Sequence, residues 1–294
     1  MPQTSATADT AATAHLSHEQ SDSVSVIDQE QAVGRRYSAG AQQVEAALCC
    51  PVDYDPRFLA AIPAPVLERD YGCGDPSRYL AAGETVLDLG SGTGKVCFIA
   101  SQVVGPGGRV IGVDVNGDML SVARAAAPVV AERVGHGGVG FRKARIQDLA
   151  LDLDALAQWL AAHPVDDLTS LAAAEAEQRR LRAHAPLVAD DSIDVVMSNC
   201  VLNLVATEQK TALFDEIFRV LRRGGRAVIS DIVSSTEVPE QLRADPNCGA
   251  AASPGRCRRR RSWPRSSGPG STVSTWSHGA PPPGRWSRAS SSVP

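Results

Sequence analysis

The sequence predicts an α/β fold in which a mostly parallel sheet carries helices on both faces. Short apolar segments rich in β-branched residues alternate with helical segments between residues 84 and 232. This alternation is typical of right-handed βαβ units, which build parallel sheets. Apolar residues make up 43% of the chain, so a core can be buried. No apolar run reaches the length of about eighteen residues that would predict a membrane span.

Five short apolar segments are predicted strands because glycine or charged residues bound them. The predicted strands are Glu84–Asp88, Arg109–Val113, Gly140–Lys143, Ser192–Ser198 and Arg226–Ile232. The neighbouring segments carry apolar residues at helical spacing. The predicted helices are Gln29–Ala47, Arg57–Asp70, Lys95–Val104, Met119–Arg133, residues 152–182 and Gln209–Leu221. The pair Gly224-Gly225 is expected to end the last helix.

Changes in composition divide the chain into four parts. Residues 1–28 are small and polar, so we predict disorder there and no signal peptide. Residues 29–83 form a helical segment that carries three cysteines, and residues 84–246 hold the five predicted strands. Residues 247–294 contain no Leu, Ile, Met or Phe, so we predict a disordered low-complexity tail that supplies no strand.

The net charge of −4 is unevenly distributed along the chain. Residues 247–294 carry eight arginines and no acid, which leaves −12 on residues 1–246. An acidic body argues against nucleic-acid binding by the main domain. Without a signal peptide or a membrane span, we expect a cytoplasmic monomer. In that reducing compartment the seven cysteines are expected to be free thiols rather than disulfides.

A glycine-rich turn follows the first predicted strand and precedes a helix. Glycine lets the backbone approach a ligand closely, and the helix start presents free N–H groups. Asp88 ends the strand before the turn, where it can bind a ligand's amino group. Asp114 ends the second strand, where a carboxylate can accept both ribose hydroxyls. The turn residues assigned to the cofactor site are Gly90, Ser91, Gly92 and Gly94.

The spacing of these glycines differs from the dinucleotide pattern and resembles that of class I methyltransferases, which use S-adenosylmethionine. On that resemblance Met119 lies over the adenine, and Ile146 with Gln147 or Asp148 contacts it after the third strand. We also assign Asn199 to the cofactor site. The alternative is a plain glycine-rich turn without a nucleotide. Class I methyltransferases complete the sheet with two further strands, which we expect to be missing here.

Three segments together resemble the arsenite methyltransferases over roughly residues 47–246. They are Asp70-Tyr71-Gly72-Cys73-Gly74, Leu87-Asp88-Leu89-Gly90-Ser91-Gly92-Thr93-Gly94 and Ser198-Asn199-Cys200-Val201-Leu202-Asn203-Leu204. The resemblance implies that Cys73 and Cys200 bind arsenic, with Tyr71 beside them. It also implies a redox or relay role for Cys49 or Cys50, and a thiol reductant of the glutathione or thioredoxin type.

The chemistry of trivalent arsenic is compatible with these cysteines. Arsenic is soft, and thiolate is the soft ligand that proteins offer. Cys200 follows the fourth strand, at the carboxyl edge where α/β folds bind ligands. Because arsenic keeps a lone pair, it can attack a sulfonium methyl group without a general base, so catalysis would depend on orientation and proximity. Cys97, on the helix after the turn, is instead expected to be a small buried residue.

The resemblance ends at Asp245-Pro246. The family continues with a segment like Leu-Trp-Ser-Gly-Cys-Ile-Ser-Gly, whose cysteine is a principal arsenic ligand. Restoring one base before the codons of Asn247–Pro254 allows the regrouped codons to encode Glu-Leu-Trp-Ser-Gly-Cys-Ile-Ser. We therefore interpret residues 247–294 as a frameshifted tail, the alternative being a genuine basic tail. Cys248 and Cys257 are not assigned the family cysteine's role.

Three functions remain open from the sequence. The first is methyl transfer to arsenite, active or impaired by the aberrant tail. The second is a methyltransferase for another small molecule that shares only the cofactor half. The third is an inactive remnant that binds a partner through its basic tail.

Overall fold

The computed structural model describes residues 30–44 and 52–232, together with the backbone of residues 271–277. Its centre is one sheet with the strand order β3-β2-β1-β4-β5-β6. The strands are β1 Thr85–Leu89, β2 Arg109–Asp114, β3 Val139–Lys143, β4 Ile193–Asn199, β5 Leu221–Ile232 and β6 Ser271–Ser277. The pairs among β1 to β5 are all parallel, so the predicted parallel α/β sheet is confirmed.

The helices of the described residues lie between these strands or before them. They are α1 (residues 30–42), α2 Pro56–Leu59, α3 Ala64–Leu67, α4 Lys95–Val104, α5 Gly117–Val134, α6 Leu153–Ala162, α7 Leu168–His184 and α8 Lys210–Val220. The predicted helix over residues 152–182 is therefore two helices. Pro164 stands in the break, and the Asp167 carboxylate caps α7 by accepting a hydrogen bond from the Ser170 N–H.

The predicted absence of any strand in residues 247–294 is wrong. Strand β6 pairs antiparallel with β5, from Arg226 opposite Ser277 to Ile232 opposite Ser271. Strand pairing depends on backbone hydrogen bonds, and the segment Ser-Thr-Val-Ser-Thr-Trp-Ser has the β-branched and aromatic residues that favour an extended chain. The predictions of disorder for residues 1–28 and for the rest of the tail lie outside the described residues.

The two faces of the sheet bury separate apolar clusters because successive strand residues point to opposite sides. Val86 of β1 packs in the cluster formed with α4 and α5, which includes Phe98 and Leu120. Leu87 packs in the cluster on the other face with Ile217 of α8. The sheet is thus covered on both sides, which leaves its carboxyl edge as the open place for a ligand.

None of the helices in the described part of the chain is long and apolar enough to cross a membrane.

Asn116 joins α5 to α1, and we expect its replacement to loosen both. Its Oδ1 accepts hydrogen bonds from Asp118 N and Met119 N at 3.0 and 3.1 Å, while its Nδ2 donates to Gly34 O and Ser38 Oγ. Asn116→Ala should lower the free energy of unfolding by about 1–2 kcal/mol, measured by urea denaturation. It should also speed tryptic cleavage within α1.

The matched control is Asp152→Ala. Asp152 caps α6 through the same kind of hydrogen bonds, to Asp154 N and Ala155 N. That variant should lose comparable stability and leave cleavage within α1 unchanged. Equal cleavage in both variants would contradict a tether at Asn116.

Candidate functional site

A cavity of about 480 Å³ opens at the carboxyl ends of β1, β2 and β4. Most of the residues that the sequence assigns to the site line this cavity. They are Tyr71, Asp88, Gly90, Ser91, Gly92, Asp114, Met119, Ile146, Gln147, Asn199 and Cys200. Gly94 is the N-cap of α4. Cys73 does not line the cavity, but it is bonded to Cys200 and follows Gly72, which both do. Cys49 and Cys50 lie outside the described residues.

The glycine-rich turn has the backbone shape that its composition predicts. Gly90, Gly92 and Gly94 have φ of +74°, +52° and +87°, a region that side chains with a Cβ rarely adopt. A Cβ on Gly90 would lie 2.5 Å from Val201, whereas one on Gly92 would meet nothing within 4 Å. Thus the turn packs at Gly90 against the loop that carries Cys200 and Val201 (the Cys200 loop), and at Gly92 it is open to a ligand.

Ser91 is buried, yet its hydroxyl has no hydrogen-bond partner among the described residues. Buried polar groups in native proteins are nearly always paired. Because Ser91 lies in the turn and lines the cavity, this hydroxyl is placed to bond a ligand that enters there.

Two carboxylates of the site lie at the ends of β1 and β2, and burial raises the pKa of both. Asp114 accepts hydrogen bonds from Gly92 N and Asn116 N, both at 2.8 Å. These bonds lower the pKa of Asp114, but burial raises it by more. Burial raises the pKa of Asp88 to about 7. The Cys97 thiol, which donates to Asp88 at 3.1 Å, opposes that rise. Both acids therefore favour a positively charged or hydrogen-bonding ligand.

Cys97 is fully buried, as expected for a small core residue. Its thiol also serves as the hydrogen-bond partner of Asp88, a contact the sequence did not predict. The sequence offered one signal for this contact: Asp88 lies near the end of a strand, and Cys97 is the third residue of the helix that follows the turn.

Helix α1 closes the cavity from above, which the sequence did not predict either. Glu30 pairs with Arg145 at 3.1 Å and accepts a hydrogen bond from Gln147 Nε2 at 3.3 Å. At the other end of α1, the Tyr71 hydroxyl donates to Gly40 O at 2.9 Å. Tyr37 of α1 meets Tyr71 edge to face, with ring centroids 6.1 Å apart. Burial raises the pKa of Tyr37 to about 12, so its hydroxyl stays neutral.

Cys73 and Cys200 are joined as a disulfide in the structure, with Cα atoms 5.9 Å apart. The expectation that every cysteine is a free thiol is therefore wrong for this pair. The reason is proximity: the two loops meet at the same edge of the sheet although 127 residues separate them. Cys200 has φ of +59°, an uncommon conformation that costs about 1 kcal/mol or more outside glycine. Such strain is often found at functional sites.

The side chain of Asn199 binds the loop that carries Cys73 (Asp70–Gly74, the Cys73 loop) in addition to lining the cavity. Its Oδ1 accepts hydrogen bonds from Cys73 N and Gly74 N, both at 3.0 Å, and its Nδ2 donates to Gly74 O at 2.7 Å. A Cβ on Gly72 would lie 2.1 Å from the same amide. The assignment of Asn199 to the cofactor site therefore covers only part of its contacts, because it lines the cavity and also holds the cysteine loop.

A second set of contacts, made by Lys95 and Tyr54, also holds the Cys73 loop. Lys95 Nζ pairs with Asp70 at 2.9 Å and lies 4.2 Å from the centroid of the Tyr54 ring. The Tyr54 hydroxyl contacts Asp70 Oδ2 at 3.3 Å and donates to Gly74 O at 3.1 Å. Burial, with the nearby Asp70 charge, raises the pKa of Tyr54 well above its usual range. Sequence reasoning assigned no role to Lys95 or Tyr54.

Comparison with known proteins connects this geometry to a family. Residues 80–262 match the model of a methyltransferase domain. An arsenite methyltransferase of Halobacterium salinarum is 36% identical over 206 residues, 68% of this chain and 41% of the relative. One from Aquipseudomonas alcaligenes is 33% identical over 207 residues, 69% of this chain and 49% of the relative. The chain thus spans less than half the length of these curated relatives.

Among solved structures, an arsenic(III) S-adenosylmethionine methyltransferase from Chlamydomonas reinhardtii is similar, with a TM-score of 0.49 at 27% identity. The match covers 69% of this chain and 58% of that one. The domain match spans more than half of the present sequence. The chain therefore belongs to the methyltransferase-domain family, with the Rossmann-like fold predicted for a class I S-adenosylmethionine-dependent methyltransferase.

Proposed function

We propose that the chain is an enzyme that transfers a methyl group from S-adenosylmethionine to trivalent arsenic bound by Cys73 and Cys200. The observation that carries this proposal is the meeting of these two sulfurs at the rim of the cavity lined by the glycine-rich turn. The names of the relatives support the same substrate.

The residues of the cavity fit S-adenosylmethionine. The Ser91 hydroxyl, which no described residue bonds, and the open side of Gly92 offer contacts to its polar groups. Asp114 offers carboxylate oxygens to the ribose, and Asp88 offers a carboxylate to the amino group. Met119, Ile146 and the neighbouring Gln147 offer an apolar wall with a polar edge for adenine. When bound, S-adenosylmethionine supplies an electrophilic methyl group on a positively charged sulfur.

The disulfide must be reduced before arsenic can bind. A thiol reductant of the glutathione or thioredoxin type transfers two electrons to Cys73–Cys200 and leaves as a disulfide, so two protein thiols form. Arsenous acid then exchanges two of its hydroxyls for the two sulfurs, and two waters leave. The arsenic keeps one hydroxyl and its lone pair.

The chain contributes position rather than acid–base chemistry to the methyl transfer. A bound S-adenosylmethionine would supply the methyl group, and Cys73 and Cys200 would hold arsenic with its lone pair facing the methyl carbon. Asn199 and the Lys95–Asp70 pair hold the Cys73 loop, while Val201 against Gly90 holds the Cys200 loop beside the turn. Helix α1 and Tyr71 line the cavity and cover part of it from solvent.

Cofactor affinity should increase with pH below about 7, where the raised pKa of Asp88 lies. Only the ionised carboxylate attracts the ammonium group of the ligand, so below the pKa a proton must be released on binding. The affinity for S-adenosylhomocysteine should therefore fall about tenfold for each pH unit below 7. Calorimetric titrations between pH 5.5 and 7.5 measure this slope.

Asp88→Asn keeps the shape and removes the titration. It should bind more weakly at pH 7.5, and its pH slope should keep only the contributions of Asp114 and of the ligand's own groups. The same slope in both proteins would argue against Asp88 as the contact for the ammonium group.

The proposed function is tested by incubating the reduced chain with arsenite, S-adenosylmethionine and a thiol. Chromatography coupled to arsenic-specific mass spectrometry measures the methylated product. A version with the reading frame restored at Asn247 is run in parallel, because the frameshift interpretation predicts that its additional cysteine raises the rate. Methyl transfer to other small molecules but none to arsenic, in both versions, would replace the proposal with the alternative substrate class.

A further inference from the structure

Ser230, near the end of β5, contacts both cysteine-bearing segments from a third part of the chain. Its carbonyl oxygen accepts a hydrogen bond from Cys200 N at 2.8 Å. Its Oγ lies 3.9 Å from Cys73 Sγ. The residue is fully buried. One residue thus fixes the backbone that carries one sulfur and touches the other sulfur directly.

The Cys73 loop packs closely on this hydroxyl. A Cβ on Gly74 would lie 2.0 Å from Ser230 Oγ, so glycine is required for the loop to come this near. The loop is held there by Asn199, through the hydrogen bonds to Cys73 N and Gly74 N. The position of the hydroxyl relative to the sulfurs is therefore set by backbone contacts on both sides.

Thiol-bound arsenic needs a third ligand beside the two sulfurs. Trivalent arsenic has three ligands in a pyramid, and neighbouring ligands of one arsenic atom lie in van der Waals contact. Cys73 and Cys200 provide two of them, and after two waters leave, the third is the remaining hydroxyl. Ser230 contacts one of these sulfurs and anchors the backbone that carries the other, so its hydroxyl is adjacent to any arsenic atom that the two sulfurs share.

We propose that the Ser230 hydroxyl holds the third, oxygen ligand of arsenic bound to Cys73 and Cys200. This inference rests on the proposed function and adds a positioning residue to it. The Ser230 Oγ exchanges a hydrogen bond with the arsenic-bound oxygen, and no further bond forms or breaks. Ser230 thereby orients the pyramid, so that the arsenic lone pair opposite the three ligands keeps a single direction.

Two substitutions at this position have opposite expected effects on arsenite binding. Ser230→Ala removes the hydrogen bond and should weaken binding about tenfold. Ser230→Cys places a third thiol beside the two others, so it can displace the last hydroxyl as water. This variant should bind arsenite at least about tenfold more tightly, because sulfur is the softer ligand.

The experiment uses the full reduced chain with arsenite as the probe, and the retained arsenic is measured after gel filtration. X-ray absorption at the arsenic edge counts the ligands: two sulfurs and one oxygen in the parent, and three sulfurs in Ser230→Cys. The Kd for S-adenosylhomocysteine should stay the same in both variants, which a merely misfolded site would not allow. Matched controls are Ser101→Ala and Ser101→Cys, at a buried serine on α4 whose hydroxyl bonds Phe98 O.

The outcomes separate this inference from the function on which it rests. If the parent binds arsenite through Cys73 and Cys200 but neither Ser230 variant changes the affinity or the ligand count, the inference is overturned and the function stands. If the parent shows no thiol-dependent arsenite binding, both are overturned. Equal effects in the Ser101 variants would also overturn the inference. The change in arsenite affinity would then follow from replacing any buried serine, wherever it lies.

Discussion

The double variant Cys73→Ser/Cys200→Ser should lose thiol-dependent arsenite binding at this site by about a hundredfold or more. Two thiols held 5.9 Å apart at their Cα atoms act as a chelate, because the second sulfur binds within the same molecule at a high effective concentration. Each single variant leaves one sulfur and should lose most of this advantage. The measurement is arsenic retained per chain after gel filtration under reducing conditions.

The proteins are compared under reducing conditions because only the parent can form the disulfide. The disulfide would stabilise the parent by about 2–4 kcal/mol relative to the variant. Cys97→Ser is the matched control, since Cys97 is fully buried and bonds Asp88 rather than a sulfur. That control should bind arsenite like the parent. Unchanged arsenite binding in the double variant would exclude this pair as the arsenic ligands, whatever the other cysteines of the chain do.

The parallel sheet could be predicted because its signals are local. Five short apolar segments between helical ones predict five parallel strands. The structure has all five, with ends that differ by at most one residue except at the start of β5. Gly224 and Gly225 were predicted as a helix end, but they lie within β5. Strand β6 was missed because its segment is polar, and pairing along an edge depends on backbone groups that any residue supplies.

The site could be predicted where it follows from topology. The ends of β1, β2 and β4 meet at one edge, so Asp88, Asp114 and Cys200 were expected near one another, and they line one cavity. Contacts between distant segments could not be predicted. The disulfide, the closure of the cavity by α1, and the place of Ser230 each join parts of the chain whose distance in the fold has no local signal.

Asn199→Ala should separate the two cysteines without removing either. The amide supplies the Cys73 loop with the bonds to Cys73 N, Gly74 N and Gly74 O. Its loss leaves the two partly buried N–H groups without these bonds, whereas Gly74 O keeps the Tyr54 hydroxyl as a donor. We expect the free energy of unfolding to fall by about 2–4 kcal/mol. The Cys73 loop should then be held less firmly at the end of β4, because Asn199 is the last residue of that strand and the loop's remaining contacts are with Lys95, Tyr54 and Ser230.

The informative measurement is the thiol–disulfide equilibrium of Cys73 and Cys200 in glutathione buffers, followed by mass spectrometry of alkylated peptides. It reports the effective concentration of one thiol at the other, which should drop about 10- to 100-fold in Asn199→Ala. Arsenite affinity should fall in parallel, since the chelate depends on the same proximity. Asn116→Ala is the control and should leave this equilibrium unchanged. It removes a partly buried amide with four hydrogen bonds, as many as Asn199 makes when its bond to the Tyr54 hydroxyl is included. If both asparagine variants shift the equilibrium equally, the loop is positioned by general packing and Asn199 has no special part in bringing the sulfurs together.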